Sequence, residues 1–227
     1  MKDLFSVNGP ITRALTKIGN VMIISVIWFV TSIPIITIGA STTALYYTVV
    51  KCIRMNRGYM IKEYFKSWKQ NFFKATVMTL LLLVICLFLL TWMSTLGASL
   101  EDIITNGMRS AFKDKSEQLV ELYMVCGIVL VIVGMLFTYM FPLLSRLDIS
   151  TMQIIFMSFV LAIRYIYFSV LLLVILYGFV LFVKVMPPAI ILAPGCWAYM
   201  SSFLIEKAMK KYLPVPEEGQ DAWWVGL

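Results

Sequence analysis

The sequence predicts an all-α polytopic membrane protein, and three observations carry that expectation. Of 227 residues, 61% are hydrophobic and 14% charged, whereas a soluble domain is about half apolar and about a quarter charged. The apolar residues fall in continuous runs near the length of about 20 that a helix needs to cross a hydrocarbon core of about 30 Å. Basic residues gather at alternate ends of those runs, the pattern that orients membrane helices by their positive inner loops. The runs lack two-residue alternation, which argues against a β-barrel. We therefore expect about six transmembrane segments, the second short and set in a Pro/Gly-broken hairpin, plus one cytoplasmic interfacial amphipathic helix. Both termini are expected in the cytoplasm, with a single membrane domain over 1–212 and a tail over 213–227.

The chain opens with Met1-Lys2-Asp3-Leu4-Phe5. No signal peptide is expected, because the first apolar run comes late, is too long and lacks an Ala-x-Ala site. The chain is read as complete and inserted by its first helix. Asn8-Gly9-Pro10 reads as a turn, with Pro10 suited to a first helical position. Residues 4–17, with Arg13 and Lys17 on one face, are expected at the cytoplasmic interface, leading into a first helix over 18–33.

The hairpin follows. Pro34 ends the first helix, Ile35 to Gly39 form a short apolar connection, and Ser41, Thr42 and Thr43 open a second helix reaching Met55. Fifteen helical residues extend only about 22 Å, so this helix either spans with help from extended backbone or is re-entrant. Non-helical backbone at that depth must be covered by protein, so Pro34 to Thr43 is expected to pack against other helices. Thr37, Ser41, Thr42 and Thr43 read as cap and packing residues, with a ligand path as the rarer alternative.

Residues 51–74 carry seven basic residues against the single acid Glu63. Ile61, Tyr64, Phe65, Trp68 and Phe72 share a helical face, flanked by Lys62, Lys66 and Lys69. This pattern predicts an amphipathic helix on the inner membrane surface; the same face would serve for docking a partner. A third helix is expected over 75–96, a mixed-charge loop over 97–120 and a fourth helix over 122–144. An inner loop then holds Arg146, Asp148 and Arg164, with a short helix in 149–160. The fifth helix covers 165–183, Pro187-Pro188 makes an outer turn, and the sixth runs over 189–206. Its small face contains Gly195, Ala198, Ser201 and Ser202, a composition that suits close helix packing. Trp223-Trp224 in the tail would either return to the interface or stay in solution. With both termini inside, fifteen of the 19 basic residues fall on the inner side, which sets the orientation.

No acidic residue stands in the middle of an apolar run, which argues against a proton-coupled carrier or a membrane protease. There is no histidine, so the commonest general base and metal ligand is missing. The four cysteines form no CxxC pair and read as packed free thiols. No Gly-rich phosphate loop precedes a Lys-Ser/Thr pair. The charges form no compact basic domain, so no nucleic-acid partner is expected. No catalytic, cofactor-binding or metal-binding residue and no cofactor is expected, and the chain is read as no enzyme. Arg146, Asp148 and Arg164 would pair within their loop, or one arginine would meet a partner's carboxylate.

Leu4-Phe5 with Asn8-Gly9-Pro10, the run from Ser32 to Tyr47, Gly58-Tyr59 and the segment Phe65 to Phe72 form the leading blocks of a wider pattern. Phe141-Pro142-Leu143-Leu144-Ser145-Arg146-Leu147-Asp148 and the run from Pro194 to Leu204 complete it. Together these blocks resemble the YesL family of bacterial integral membrane proteins. Only 97–120 and the tail fall outside the likeness. The resemblance implies association with carbohydrate uptake in the plasma membrane of Gram-positive bacteria. It points to an auxiliary, non-catalytic subunit of an oligosaccharide ABC importer, contacting the permease subunits in a complex with their ATPase and solute-binding protein. A signalling partner of a sugar-responsive histidine kinase, or an independent small channel or carrier, are the alternatives. The family motifs bring no catalytic residues. Pro34, Thr37, Gly39, Ser41, Thr42 and Thr43 are carried forward as a structural hairpin. Lys62, Phe65, Lys66, Trp68, Lys69, Arg146 and Asp148 are carried forward as contacts to a partner or to membrane lipids.

Overall fold

The computed structural model describes residues 10–105 and 113–212. Among them there is no strand. The helices are α1 (Pro10–Thr31), α2 (Ile38–Thr48), α3 (Met60–Thr105), α4 (Lys113–Arg146), α5 (Thr151–Arg164), α6 (Ile166–Val185) and α7 (Ala193–Met209). A 3-10 turn, Ile35–Thr37, precedes α2, and a π-helical turn, Val49–Arg54, continues it. A second 3-10 turn, Pro187–Ile191, links α6 to α7. Among the described residues four helices are long and apolar enough to cross a membrane: Ile11–Thr31 of α1, Met60–Glu101 of α3, Glu117–Arg146 of α4 and all of α6.

α1 begins at Pro10, the residue suited to a first turn, and runs unbroken to Thr31. The expected interfacial segment therefore merges with the first helix from residue 10 onward; residues 4–9 lie outside the described residues. A larger correction concerns α3. The expected surface helix and third helix are one rod of 46 residues, about 69 Å long at 1.5 Å per residue. No proline or glycine falls between Met60 and Leu96, so nothing breaks the hydrogen-bond ladder at the point where composition changes from basic to apolar. The expected loop 97–120 shrinks likewise, because its two ends are helical in α3 and α4.

The apolar half of α3 pairs antiparallel with α4. Ala75, Leu82, Leu89 and Leu96 are buried seven residues apart, as are Cys126, Val133 and Met140 on α4. A seven-residue repeat keeps one seam facing its partner, as in a coiled coil. Gly97 lies beside Tyr123 at one end, and at the other the Lys74 ammonium donates to Asp148 Oδ1 at 2.6 Å. The far faces remain uncovered: Leu81, Val84, Leu87 and Phe88 on α3, and Met124, Val125 and Ile128 on α4, are exposed. Apolar surface on this scale is covered by lipid or by another protein.

α2 is the most enclosed element. From Gly39 through Tyr46 all residues but Thr42 are buried, and so are Val49, Val50, Cys52 and Ile53. Two glycines set the closest approaches in the bundle. A Cβ on Gly39 would overlap Thr79 Oγ1 and lie 2.7 Å from the Ala75 carbonyl, so α2 rests directly on the α3 backbone. A Cβ on Gly195 would overlap Ser25 Oγ and lie 2.9 Å from the Val21 carbonyl, which places α7 against α1 in the same way. Small residues of this kind let helices associate where lipid offers no hydrophobic drive.

α5 carries a full capping box. Gln153 N donates to Ser150 Oγ and Ser150 N donates to Gln153 Oε1, satisfying two donors at the helix start. The short helix expected in 149–160 extends to Arg164. The last helix starts at Ala193, not 189, and continues past Glu206 to Met209. The tail over 213–227, with Trp223-Trp224, lies outside the described residues.

Replacing Gly39 by alanine sets a methyl against backbone that cannot move aside, and overpacking of this kind costs about 1–3 kcal/mol. Gly39→Ala is expected to lower the melting midpoint of the detergent-solubilised protein. Gly127→Ala, where a Cβ meets nothing within 4 Å, should leave it unchanged. Equal midpoints for the two variants would contradict this packing.

Candidate functional site

The hairpin is held by hydroxyls rather than by caps. α2 starts at Ile38, so Ser41, Thr42 and Thr43 lie inside the helix, not at the capping position expected for them. Thr42 and Thr43 donate back to the carbonyls of Ile38 (2.7 Å) and Gly39 (2.9 Å). Ser41 Oγ donates to the Thr31 carbonyl at 3.1 Å, and Thr37 Oγ1 donates to the same carbonyl at 2.6 Å and to that of Pro34 at 2.7 Å. Carbonyls freed where α1 ends thus find donors within the hairpin itself, as buried backbone groups require. The expected cover by other helices holds for Gly39, Ala40, Ser41 and Thr43, which are buried, but not for the tip, where Ile33, Pro34, Ile35 and Ile36 are exposed. The tip is also tied to α3, where Thr76 Oγ1 donates to the Ile36 carbonyl at 3.3 Å.

Three aromatic side chains lock α1, α2 and the first turns of α3 together. The Trp28 indole donates to Thr42 Oγ1 and the Trp68 indole to Ser41 Oγ, each at 3.3 Å. The Tyr64 hydroxyl lies 2.6 Å from Thr31 Oγ1, and Tyr64 is fully buried. The aromatic face expected on the membrane surface is therefore split. Tyr64 and Trp68 turn inward because their polar tips have partners there. Ile61 and Phe65 stay outside. Lys62, Lys66 and Lys69 are exposed beside Phe65, and none forms an ion pair among the described residues. Glu63 sits between the two faces. It takes the Lys51 ammonium at 2.9 Å, tying the end of the π turn to the start of α3.

A second polar cluster joins α2, α4 and α7. Arg146 meets Glu206 at 2.7 Å between Nη2 and Oε1, and both side chains are 2% exposed. Arg146 Nε donates to the same oxygen at 3.1 Å, as does the buried Tyr46 hydroxyl at 3.0 Å. Beside this cluster, Arg54 Nη1 donates to the Ser202 carbonyl at 2.9 Å and to its hydroxyl at 3.2 Å. The Arg54 guanidinium lies 4.2 Å from the centroid of the Phe203 ring, a cation–π contact. Two hydrogen bonds and one ion-pair contact converge on this carboxylate oxygen in a closed interior. Such an arrangement fixes helices against one another.

The inner-loop charges thus pair across elements, not within their loop. Arg146 reaches α7, Asp148 reaches Lys74 on α3, and Arg164 Nη1 donates to the Tyr212 hydroxyl at 3.1 Å. The Lys74 ammonium, through its hydrogen bond and its charge, holds the exposed Asp148 carboxyl below its ordinary pKa. Of the contact candidates, Lys62, Phe65, Lys66, Lys69 and Asp148 are exposed, whereas Trp68 and Arg146 serve the interior. Sequence reasoning missed Tyr46, Arg54 and Glu206. A signal was present for Glu206: Gly195, Ala198, Ser202 and Glu206 follow helical spacing, so the carboxylate shares the small-residue face.

Among the described residues no three His, Cys, Asp or Glu side chains group to hold a metal. All four cysteines are unpaired.

Tyr64→Phe keeps the ring and removes the hydroxyl from Thr31. A loss of about 1 kcal/mol is expected, read as a lowered melting midpoint, while Phe65→Ala on the outer face leaves the midpoint unchanged. The reverse order would mean that the aromatic face points outward.

A family model described as "Protein of unknown function, DUF624" matches residues 21–92, about a third of the chain. The match covers the second half of α1, all of α2 and α3 as far as Trp92, and so contains the aromatic lock. No curated protein and no solved structure matches the chain.

Proposed function

We propose that this chain is an auxiliary, non-catalytic membrane subunit of a bacterial oligosaccharide ABC importer, contacting its permease subunits in a complex with their ATPase and solute-binding protein. The observation that carries this reading is the outer face of α3. Lys62, Phe65, Lys66 and Lys69 are displayed on a helix whose inner face is fixed by Tyr64 and Trp68. A basic and aromatic surface on a rigid support suits docking, since little ordering remains to be done on binding. The uncovered apolar faces of α3 and α4 would supply the contact within the bilayer.

The wider likeness to the YesL family supports the carbohydrate-uptake setting, and YesL-type proteins belong to the DUF624 domain family matched over 21–92. In this reading the plasma membrane is crossed about six times. α2 with its π turn and α7, each only about 25 Å long, complete the count begun by α1, α3, α4 and α6. Both termini lie in the cytoplasm, where the positive-inside bias puts fifteen of the 19 basic residues.

Affinity purification of the tagged chain from native membranes in mild detergent, with mass spectrometry of the co-purifying chains, tests the proposal. Permease and ATPase subunits in fixed ratio are expected, and Lys62→Glu/Lys66→Glu/Lys69→Glu should lose them while melting like the parent. A histidine kinase in their place would move the reading to signalling. A chain that purifies alone would overturn the accessory role and leave solute flux in liposomes to be measured.

A further inference from the structure

We infer that the inner end of α1 and the α2–α3 turn form a binding pocket for an anionic phosphate group, of the kind carried by a lipid headgroup. A cavity of about 410 Å³ is lined by Thr12, Arg13, Thr16, Lys17, Asn20 and Asn56. The α1 members recur at three- and four-residue spacing and so share one face of the helix. The sixth comes from a turn built for the purpose of reversing direction. Asn56 has φ +52° and Gly58 φ +81°, left-handed conformations that asparagine and glycine tolerate best. The turn thereby sets the Asn56 amide against α1.

The chemistry of the lining selects the ligand. Arg13 and Lys17 bring two positive charges, Asn20 and Asn56 bring amide donors, and no acidic side chain lines the cavity. Neither Arg13 nor Lys17 forms an ion pair among the described residues. The Thr16 hydroxyl already donates to the Thr12 carbonyl at 2.8 Å, so the two cations and two amides are the donors left for a ligand. Guanidinium and ammonium groups with neutral donors around them match the oxygens of a phosphate.

The neighbouring surface suggests where that phosphate comes from. Leu15, Ile18, Met22 and Ile23, on the same stretch of α1, are exposed and apolar. A headgroup in the pocket would leave its acyl chains along these residues, and basic pockets at inner helix ends are suited to anionic lipid. The inference rests on the chain lying in a membrane with this end inward, and not on its being a transporter subunit. A free phosphate or phosphate monoester would use the same donors.

The test uses the full-length, delipidated protein in uncharged detergent, with binding followed by native mass spectrometry and by the rise in melting midpoint. Short-chain phosphatidylglycerol, phosphatidylcholine of equal chain length, glycerol 1-phosphate and inorganic phosphate are titrated in parallel. Phosphatidylglycerol is expected to bind most tightly, and Arg13→Gln/Lys17→Gln to weaken it by about tenfold or more. Asn56→Ala should weaken it by a smaller factor. Lys207→Gln/Lys211→Gln removes equal charge at the exposed inner end of α7 and should change nothing. Equal weakening by both double variants would show that only net charge matters and would overturn the pocket. So would binding of every titrant unaffected by Arg13→Gln/Lys17→Gln. Tight binding of glycerol 1-phosphate or inorganic phosphate with the same variant dependence would support the phosphate site and assign it to a soluble ligand. Loss of the pocket with transporter subunits still co-purifying would leave the proposed function standing.

Discussion

The buried pair Arg146–Glu206 is the constraint on which the arrangement of helices depends. Each charge alone would be costly in an interior closed to water, and the cost falls only when the two meet and are further hydrogen-bonded. Arg146 ends α4 and Glu206 stands in the last turns of α7, so satisfying the pair fixes the ends of two helices that lie far apart in sequence. Tyr46 donates to the same carboxylate oxygen and draws α2 into the junction. Arg54, in the π turn that continues α2, bonds to Ser202 one turn away on α7 and holds that same end against the helix. A buried pair is weak grounds for high stability, but it does specify register. Here it specifies which helices meet α7.

α3 links this junction to the outside. Its first turns bind the α1–α2 hairpin through Tyr64 and Trp68, and its apolar half forms a heptad-spaced seam with α4. One uninterrupted helix therefore joins a basic, aromatic outer face to the long apolar pair. A partner held on Lys62, Phe65, Lys66 and Lys69 would be anchored to a rod that bends little, because no glycine or proline intervenes before Gly97.

Much of this was legible in the sequence. Hydropathy alone gave the helical class, and Pro34 marked the break between α1 and α2. Pro10 and Pro187-Pro188 marked a helix start and a turn, and the small face of α7 was visible as Gly195, Ala198, Ser201 and Ser202. What composition hid was continuity. Lys69 and Lys74 suggested a surface helix ending near residue 74, yet helical hydrogen bonding is indifferent to a change from polar to apolar side chains. The inward turn of Tyr64 and Trp68 was hidden for a related reason. An aromatic ring with a polar tip reads the same at a headgroup and beside a buried hydroxyl. Glu206 stands at the expected end of the sixth helix, and its role depends on Arg146, sixty residues away, a partner that no local pattern announces.

The most direct test of the account is a double-mutant cycle on the central pair, using Arg146→Leu, Glu206→Leu and the combined variant, with unfolding followed in mixed micelles. Each single change should cost about 3–5 kcal/mol by stranding a buried charge. The combined change should cost less than their sum, with a coupling of about 1–3 kcal/mol. Single effects that are small and simply add would mean the two side chains do not meet in the folded protein, and the junction of α2, α4 and α7 described here would be contradicted.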